Sequence, residues 1–299
     1  MRVPPFVQGP ERADGRTPMV VNPMKGHVRP YYLLPKQPNT TLALAGANAV
    51  GELLFEVDLE GHFEWESLVT SPQDAPASLV QVVLNLFDAQ KQRFLSNRPV
   101  HFQTIAAIVD RAFRLPEPYL FNVGDGIRTM NVLAKKLDSG SFTLNLAMLG
   151  RRYYHVESPP HIARKFDEVI GNDERAHVYF MTYKEVAGDG TPPVIAAGGQ
   201  ETFHFRADDD ADSDLHKLMV PAGTGDFSFT LREADTNRQL SNGLISRQMG
   251  WGDAEFPFYF ADTYLLGRSK ELIFEVTNES GDDLQIFATI AGRRLITEE

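Results

Sequence analysis

The sequence of 299 residues contains no cysteine, so disulfide bonds, thiolate metal sites and cysteine nucleophiles are excluded. It has no apolar run long enough for a transmembrane helix, and no apolar segment typical of a signal peptide near its N-terminus. Positive charge is in the minority, with 29 Lys and Arg against 40 Asp and Glu and a formal net charge of −11. An acidic chain repels the phosphates of nucleic acids, so we predict neither a membrane contact nor a direct nucleic-acid contact.

The sequence also lacks the short motifs that mark common enzymes. Its eight histidines are scattered, and it contains neither the Gly-x-Ser-x-Gly of hydrolases nor a phosphate-binding glycine loop. Gly124 and Gly126 stand close together, but no helical pattern follows them. We therefore predict no catalytic residue, no cofactor-binding residue, no metal ligand and no enzymatic activity.

What the sequence does contain is alternation of apolar and polar residues. The segment SLVQVVLNLFD (78–88) places Leu84 and Leu86 on one face, which is typical of a half-buried strand. Residues 127–149 and 270–291 each show two such runs around a turn rich in Gly, Ser and Asp. Both segments are therefore predicted to be β-hairpins.

Two tripeptides recur in the same order along the chain. Leu-Ser-Asn occurs at 95–97 and 240–242, and Gly-Arg-Arg at 150–152 and 292–294, with offsets of 145 and 142 residues. Ordered matches with so small a drift predict two copies of one β domain. Because the arginine pairs recur at one position, we predict that one arginine of each pair bonds a carboxylate across the sheet. Binding of a carboxylate or phosphate ligand is the alternative.

These patterns predict an all-β fold of two tandem, similar antiparallel β-sandwich or jelly-roll domains. The first domain is assigned to residues 40–158 and the second to residues 196–299. Between them, residues 159–195 form a connector with a short helix, indicated by an opening Pro-Pro and a closing Gly. Residues 1–39, with eight prolines and several large apolar side chains, form an extended N-terminal arm.

The arm is too apolar for a disordered linker, and a partly ordered tail is the alternative to an extended arm that lies on a surface. We expect it to lie in a groove, on a neighbouring subunit or partner rather than on its own domains. A second aromatic passage, GWGDAEFPFYFADTY, lies in the second domain; aromatic residues at this density also build cores. Candidate assembly contacts in the two segments are Phe6, Tyr31, Tyr32, Trp251, Tyr259 and Tyr264.

An acidic loop precedes one predicted strand of the second domain. Its carboxylates could supply oxygen ligands to calcium, but the glycine and the final glutamate of an EF-hand are missing. We predict a solvated surface loop, with calcium binding as the open alternative. The residues concerned are Asp208, Asp209, Asp210, Asp212 and Asp214.

Short segments of both domains resemble a known group of proteins. HFEWESLV (62–69), RFLSNRPV (93–100), FRLPEPYLF (113–121), MLGRRYYH (148–155) and FEVTNESGD (274–282) are similar to motifs of uncharacterised virion structural proteins of tailed bacteriophages. The resemblance covers both repeats but neither the arm nor the connector. It implies a minor head, decoration or connector/tail-associated protein, and it implies no catalytic residue.

The resemblance also implies where such a protein acts. It would be made in the host cytoplasm and reside in the virion, as a homo-oligomer packed against copies of itself and other virion proteins. Flat β faces and an extended arm suit such an assembly. The alternative is a carbohydrate-binding or receptor-binding β-sandwich adaptor that uses the aromatic passages. An enzyme with a site assembled from distant residues is a third hypothesis.

Overall fold

The computed structural model describes residues 28–38, 40–59, 61–70, 81–107, 113–121, 123, 127–154 and 176–296. They form two similar, mainly antiparallel β-sandwiches in tandem, which confirms the predicted all-β fold class. The helices of this part of the chain are two single turns, and none has the length and apolarity needed to cross a bilayer. The helix predicted at 159–171 lies outside the described residues.

The first sandwich comprises β1 (Val28–Leu33), β2 (Leu42–Ala45), β3 (Val50–Val57), β4 (Gly61–Thr70), β5 (Val82–Asp88), β6 (Arg93–Phe94), β7 (Val100–His101), α1 (Phe102–Ile105), β8 (Ala106–Ala107), β9 (Phe113–Phe121), β10 (Arg128–Lys136), β11 (Ser141–Leu144) and β12 (Leu146–Tyr154). One layer has the order β1-β12-β4-β8, with β9 also paired to β4. The other has the order β3-β10-β5-β6, with β7 also paired to β5, and β11 pairs with β2.

The second sandwich comprises β13 (Ala176–Thr182), β14 (Val194–Ile195), β15 (Gln200–Arg206), β16 (Asp212–Met219), β17 (Phe227–Glu233), β18 (Ile245–Ser246), α2 (Arg247–Gly250), β19 (Phe258–Leu266), β20 (Glu271–Asn278), β21 (Leu284–Gln285) and β22 (Thr289–Leu295). Its layers have the orders β13-β22-β16-β19 and β15-β20-β17-β18, and β14 pairs with β21. The predicted connector of residues 159–195 is therefore wrong in its C-terminal part, because β13 and β14 pair with strands of the second sandwich.

The two sandwiches share strand order and register. The layer β13-β22-β16-β19 repeats β1-β12-β4-β9, and β15-β20-β17-β18 repeats β3-β10-β5-β7. Met130 of β10 lies opposite Asp88 of β5, and Leu272 of β20 lies opposite Glu233 of β17. We call two residues counterparts when they hold the same register position in the two sandwiches.

The alternation in the sequence fills the space between the layers. Leu84 and Leu86 of β5 are fully buried, as their period of two predicts. Trp65 is the largest fully buried side chain in the first core, and Phe274 lies among several other rings in the second. Each side chain of this size contributes roughly 1.5–3 kcal/mol when it leaves water, so these two cores account for much of the stability.

The glycine of each Gly-Arg-Arg lies where two strands approach unusually closely. Beside Gly150 in β12 and Gly292 in β22 the strand register shifts, as in a β-bulge. A Cβ at Gly150 would overlap the carbonyl oxygen of Glu64, and one at Gly292 would overlap that of Asp214. Both positions therefore require glycine because any side chain would collide with the backbone of the next strand.

The first arginine of each pair bonds a carboxylate on the neighbouring strand, as predicted. Arg151 Nε donates to Glu66 Oε1 at 2.5 Å and lies opposite Glu64. Its counterpart Arg293 lies opposite Asp214 and donates to its Oδ2 at 2.5 Å. The pairing ties the last strand of each sandwich to the next strand of its layer.

The second arginine of each pair covers a tyrosine on the edge strand. The guanidinium of Arg152 lies 4.9 Å from the ring centre of Tyr31 in β1, and that of Arg294 lies 5.6 Å from the ring centre of Tyr179 in β13. Arg294 also donates to Asp210 at 2.5 Å. The repeated tripeptide is thus a structural element that fixes the edge strand of each sandwich.

Both predicted hairpins are wrong. The two sides of β10 are occupied by β3 and β5, and the two sides of β20 by β15 and β17. The turns after β10 and β20 therefore carry the chain from one layer to the other. The sequence pattern of strand, turn and strand is the same for a hairpin within one layer and for a connection between layers, because both need residues such as Gly and Asp in the turn.

The predicted arm of residues 1–39 is also wrong in its C-terminal part. Val28–Leu33 forms β1 and pairs with β12, and Leu33 is buried in the first core. Pro30 fits there because β1 is an edge strand of its layer among the described residues, where a missing N–H leaves no ladder bond unmade. Residues 1–27 lie outside the described residues.

Candidate functional site: the interdomain interface and its open counterpart

The second sandwich joins the first through its edge strand β13. The amide nitrogen of Phe180 donates to the carbonyl oxygen of Leu95 at 2.8 Å, and Ser96 and Phe180 form a parallel bridge. The side chain of Asn97 extends the pairing: Nδ2 donates to the carbonyl oxygen of Thr182 at 2.7 Å, and Oδ1 accepts from its amide nitrogen at 2.9 Å. The first Leu-Ser-Asn therefore receives a strand from the other half of the chain.

Phe180 is the apolar anchor of this interface. Its side chain is fully buried, its ring centre lies 6.3 Å from that of Phe113, and it belongs to the same apolar cluster as Leu95. Val178, two residues earlier on the same face of β13, is also fully buried in that cluster. Side chains of the second sandwich thus complete the core of the first.

A lysine and an arginine of the second sandwich frame the anchor. Lys217 Nζ donates to the carbonyl oxygen of Arg114 and lies 4.4 Å from the ring centre of Phe113. Burial, with a smaller contribution from the Arg114 cation, lowers the pKa of Lys217 to about 8. Arg293 pairs with Glu117 across the interface at 3.4 Å. The interface therefore contains a buried cation that loses its charge at mildly alkaline pH.

A buried histidine of β13 also contacts the first sandwich. His177 Nδ1 is 3.2 Å from a guanidinium nitrogen of Arg93. Burial, then the charges of Arg93 and Arg294, lower the pKa of His177 to about 2, so the ring is neutral and Nδ1 accepts the hydrogen bond from Arg93.

The second sandwich carries the same groove on its own surface. Leu240 and Phe258, the counterparts of Leu95 and Phe113, line an apolar groove of about 340 Å³. Met249, 74% exposed, lies at its rim. No side chain of the described residues plays there the part that Phe180 plays in the first sandwich. The molecule therefore presents an open apolar groove at the end away from the interface.

The first sandwich presents the matching edge strand. Tyr32 of β1 lies opposite Leu149 of β12. Phe180 of β13 lies in the same way opposite Ala291 of β22, so Tyr32 is the counterpart of Phe180. Tyr32 is 50% exposed, and Leu34, two residues on, is 58% exposed. One end of the molecule thus offers a strand with an exposed ring, and the other offers the groove.

The candidate contacts of the N-terminal segment lie in three different settings. Phe6 is outside the described residues. The ring of Tyr31 faces inward and packs edge-on against Phe63 at 5.9 Å. Tyr32, its neighbour, points away from the core. Of the two described tyrosines in this segment, Tyr32 is therefore the one that the structure leaves open to a partner.

The three later aromatic candidates do not form one surface. Trp251 is 4% exposed and packs against Phe274 in the second core, so its ring offers no face for a partner or a sugar. Tyr264 lines the groove and donates a hydrogen bond to Glu233 at 2.5 Å. Tyr259 is exposed on β19, outside the core.

The predicted solvated loop is wrong at its C-terminal end, because Asp212 and Asp214 lie in β16 and Asp214 is 4% exposed. All five carboxylates are held by hydrogen bonds or ion pairs. Asp208 accepts from the hydroxyl of Tyr179 at 2.8 Å, and Asp209 accepts from Ser269 at 2.6 Å. Asp212 accepts from the amide nitrogen of Arg268 at 2.9 Å, while Asp210 and Asp214 bond the two arginines of the second pair, as described above. Within the described ranges, no group of three or more His, Asp or Glu is arranged to hold a metal ion.

The sequence prediction did not include Phe180, Asn97 or Lys217. A signal for Phe180 was present, because Val178 to Met181 are apolar at every position, as expected of a strand buried on both faces. A signal for Asn97 was the repeated Leu-Ser-Asn itself. Lys217 carried none, since its burial depends on the packing of the two sandwiches.

Comparison with known proteins gives little further information. No family model and no curated protein sequence matches the chain. Among solved structures, the extracellular domain of ANXUR1 from Arabidopsis thaliana is 7% identical, with 90% of this chain and 89% of that chain covered and a TM-score of 0.26. The 7S globulin of Momordica charantia (8%, 91% and 80%, 0.20) and the CupB6 tip adhesin of Pseudomonas aeruginosa (9%, 91% and 89%, 0.21) are similar at the same level. TM-scores of this size are too low to establish a shared fold or function.

Proposed function

We propose that this protein is a non-enzymatic structural component of a tailed-bacteriophage virion, and that it acts by packing against copies of itself and other virion proteins. One observation supports the packing role above others. The two halves of the chain are joined by strand pairing around a buried phenylalanine, and both partners of that contact recur, exposed, at opposite ends of the molecule.

Strand pairing is a general way to join β proteins. Main-chain hydrogen bonds supply much of the affinity, and pockets for individual side chains supply the specificity. The interdomain interface has both parts, in the Phe180 amide bond and in the pocket around the Phe180 ring. The assignment to a phage particle comes from the sequence segments that resemble virion structural proteins.

The test is the composition of purified particles. Particles of the phage that encodes the chain are purified through successive density gradients and analysed by quantitative mass spectrometry. A structural component keeps a fixed copy number relative to the major structural protein through every gradient. A signal that falls with each purification step would show a contaminant and reject the proposal.

A genetic experiment tests whether the contact between the two sandwiches is needed for incorporation into particles. A phage with an early stop codon in this gene is complemented with the wild-type chain or with Phe180→Asp. We expect the wild-type chain, but not the variant, to restore the protein to particles. Complementation with Phe256→Asp, at a side chain that is 62% exposed, is the matched control and should behave as wild type.

A further inference from the structure

The interdomain contact is heterologous, because it joins two different surfaces. The first sandwich contributes the groove around Leu95 and Phe113, and the second contributes the strand with Phe180. Since the sandwiches share their fold, each also carries a version of the surface that the other uses. A contact of this kind can be repeated from molecule to molecule.

From this geometry we propose that copies of the chain associate head to tail, with Tyr32 of one copy seated in the groove of the second sandwich of the next. The proposal rests on the proposed function, whose partner it names as a second copy. The contact between copies would repeat the contact between the two halves of a single chain.

The backbone of β1 is suited to this role. β1 is an edge strand of its layer in the described part of the chain, as β13 is of its own. The shared register directs the Tyr32 amide away from β12, as the Phe180 amide is directed away from β22 toward Leu95. In the next copy, the matching acceptor is the carbonyl oxygen of Leu240.

The polar contacts of the interface also have counterparts. The side chain of Asn97 bonds both backbone groups of Thr182. Its counterpart in the second sandwich is also an asparagine, Asn242, and is exposed. The counterpart of Thr182 is Leu34. Its backbone N–H and carbonyl group can bond the side-chain amide of Asn242 in the next copy. The second Leu-Ser-Asn therefore offers a next copy the hydrogen bonds that the first makes within the chain.

The charges at the rim match as well. Arg293 pairs with Glu117 across the interdomain interface. The counterpart of Arg293 is Arg151, whose side chain is 49% exposed, and the counterpart of Glu117 is Asp262, at the edge of the open groove. In a head-to-tail contact a cation would again face a carboxylate, which favours this orientation over others.

The apolar contact follows the same correspondence. In the first groove the ring of Phe180 lies beside Phe113; in the second, the ring of Tyr32 would lie beside Phe258, which is 38% exposed. A tyrosine in this place keeps the apolar ring and allows its hydroxyl to reach the wet rim, as is common at interfaces between proteins.

The experiment uses the purified full-length chain and measures mass by light scattering after gel filtration, over a range of concentrations. We expect the wild-type chain to form oligomers, either a closed ring of one size or open chains of increasing length. Tyr32→Asp and Phe258→Asp should each be monomeric. Met249→Asp serves as a second groove variant, because its side chain lies at the groove rim, is 74% exposed and is not part of the buried core.

Mixing Tyr32→Asp with Phe258→Asp provides the decisive measurement. In an equimolar mixture, the Tyr32 of the Phe258→Asp chain can bind the intact groove of the Tyr32→Asp chain. The resulting dimer has an altered surface at each free end and cannot extend further. The mixture should therefore give a 1:1 dimer and nothing larger. A contact between identical surfaces would not be restored in this way. Leu133→Asp, on an exposed side chain of the opposite layer, is the control and should assemble as wild type.

Several results would overturn the proposal. These are a wild-type chain that stays monomeric at every concentration, variants that keep the wild-type mass, or a mixture that gives no dimer. Loss of association on deleting residues 2–26, with Tyr32→Asp unaffected, would assign the groove to another segment. A chain that is stoichiometric in particles but monomeric in solution would reject the head-to-tail contact and leave the proposed function standing.

Discussion

Phe180 provides the sharpest test of the interdomain interface. Its ring is fully buried at a place where one sandwich completes the core of the other. Replacement of a buried phenylalanine by alanine removes its transfer free energy and leaves a cavity, at a total cost of about 3–5 kcal/mol. For a chain of this size, 1 kcal/mol corresponds to roughly 2–4 °C in Tm. Phe180→Ala should therefore lower the Tm by about 6–20 °C.

The matched control is Phe256→Ala. This change removes the same atoms from the same half of the chain, but the side chain is 62% exposed. Its effect should stay within about 0.5 kcal/mol, as for most surface substitutions. Both variants are measured by thermal unfolding, followed by near-ultraviolet circular dichroism, and by urea titration. Equal shifts for the two variants would show that Phe180 does not anchor the interface.

Two further predictions concern close packing and pH. Gly292→Ala should lower the free energy of unfolding, measured by urea titration, by about 1–3 kcal/mol or more, because the new Cβ meets the carbonyl oxygen of Asp214. The control Gly281→Ala has open space around it and should leave the stability nearly unchanged. Similar losses of stability for the two variants would contradict the reasoning. The pKa of Lys217 falls from 10.5 to about 8 on folding, so the unfolded chain binds more protons between these values and stability rises with pH there. From pH 7 to 9.5 the wild-type chain should gain about 2 kcal/mol relative to Lys217→Met; parallel pH profiles would show that Lys217 is not desolvated.

The fold class and the repeat were readable from the sequence because both rest on local pattern. Alternation at a period of two follows directly from the geometry of a strand with one buried face, as at Leu84 and Leu86. The role of Gly-Arg-Arg was readable for a related reason. The glycine is needed because a Cβ would overlap the backbone of the next strand, and the first arginine pairs with a carboxylate of that strand.

Strand pairing was not readable in the same way. Residues on either side of Gly140 alternate as in a hairpin, yet β10 pairs with β3 and β5. Which strands become neighbours is decided by contacts between residues far apart in the sequence. The same holds for β1. The proline density of residues 1–39 suggested an arm, but proline is excluded only from central strands and is tolerated on edge strands such as β1, which contains Pro30.

The candidate site was predicted only in part. Tyr32 is exposed, as an assembly contact requires, whereas Trp251 lies in the second core. An aromatic residue has the same composition signal in both places, and its exposure depends on which face of its strand meets the other layer. Asn97 and Phe180 gained their roles from the way the two sandwiches pack, which single-strand patterns do not encode.

The position of β1 beside β12 has a consequence for the order of events during synthesis. Among the described residues these are the first and the last strands of the first sandwich, and they pair along most of their length. The layer therefore stays incomplete on the ribosome until Tyr154 has emerged, which delays long-range pairing of the kind that slows folding. Once it closes, the groove around Leu95 is finished before most of the second sandwich exists. We therefore expect β13 to pair with a surface of the first sandwich that has already formed.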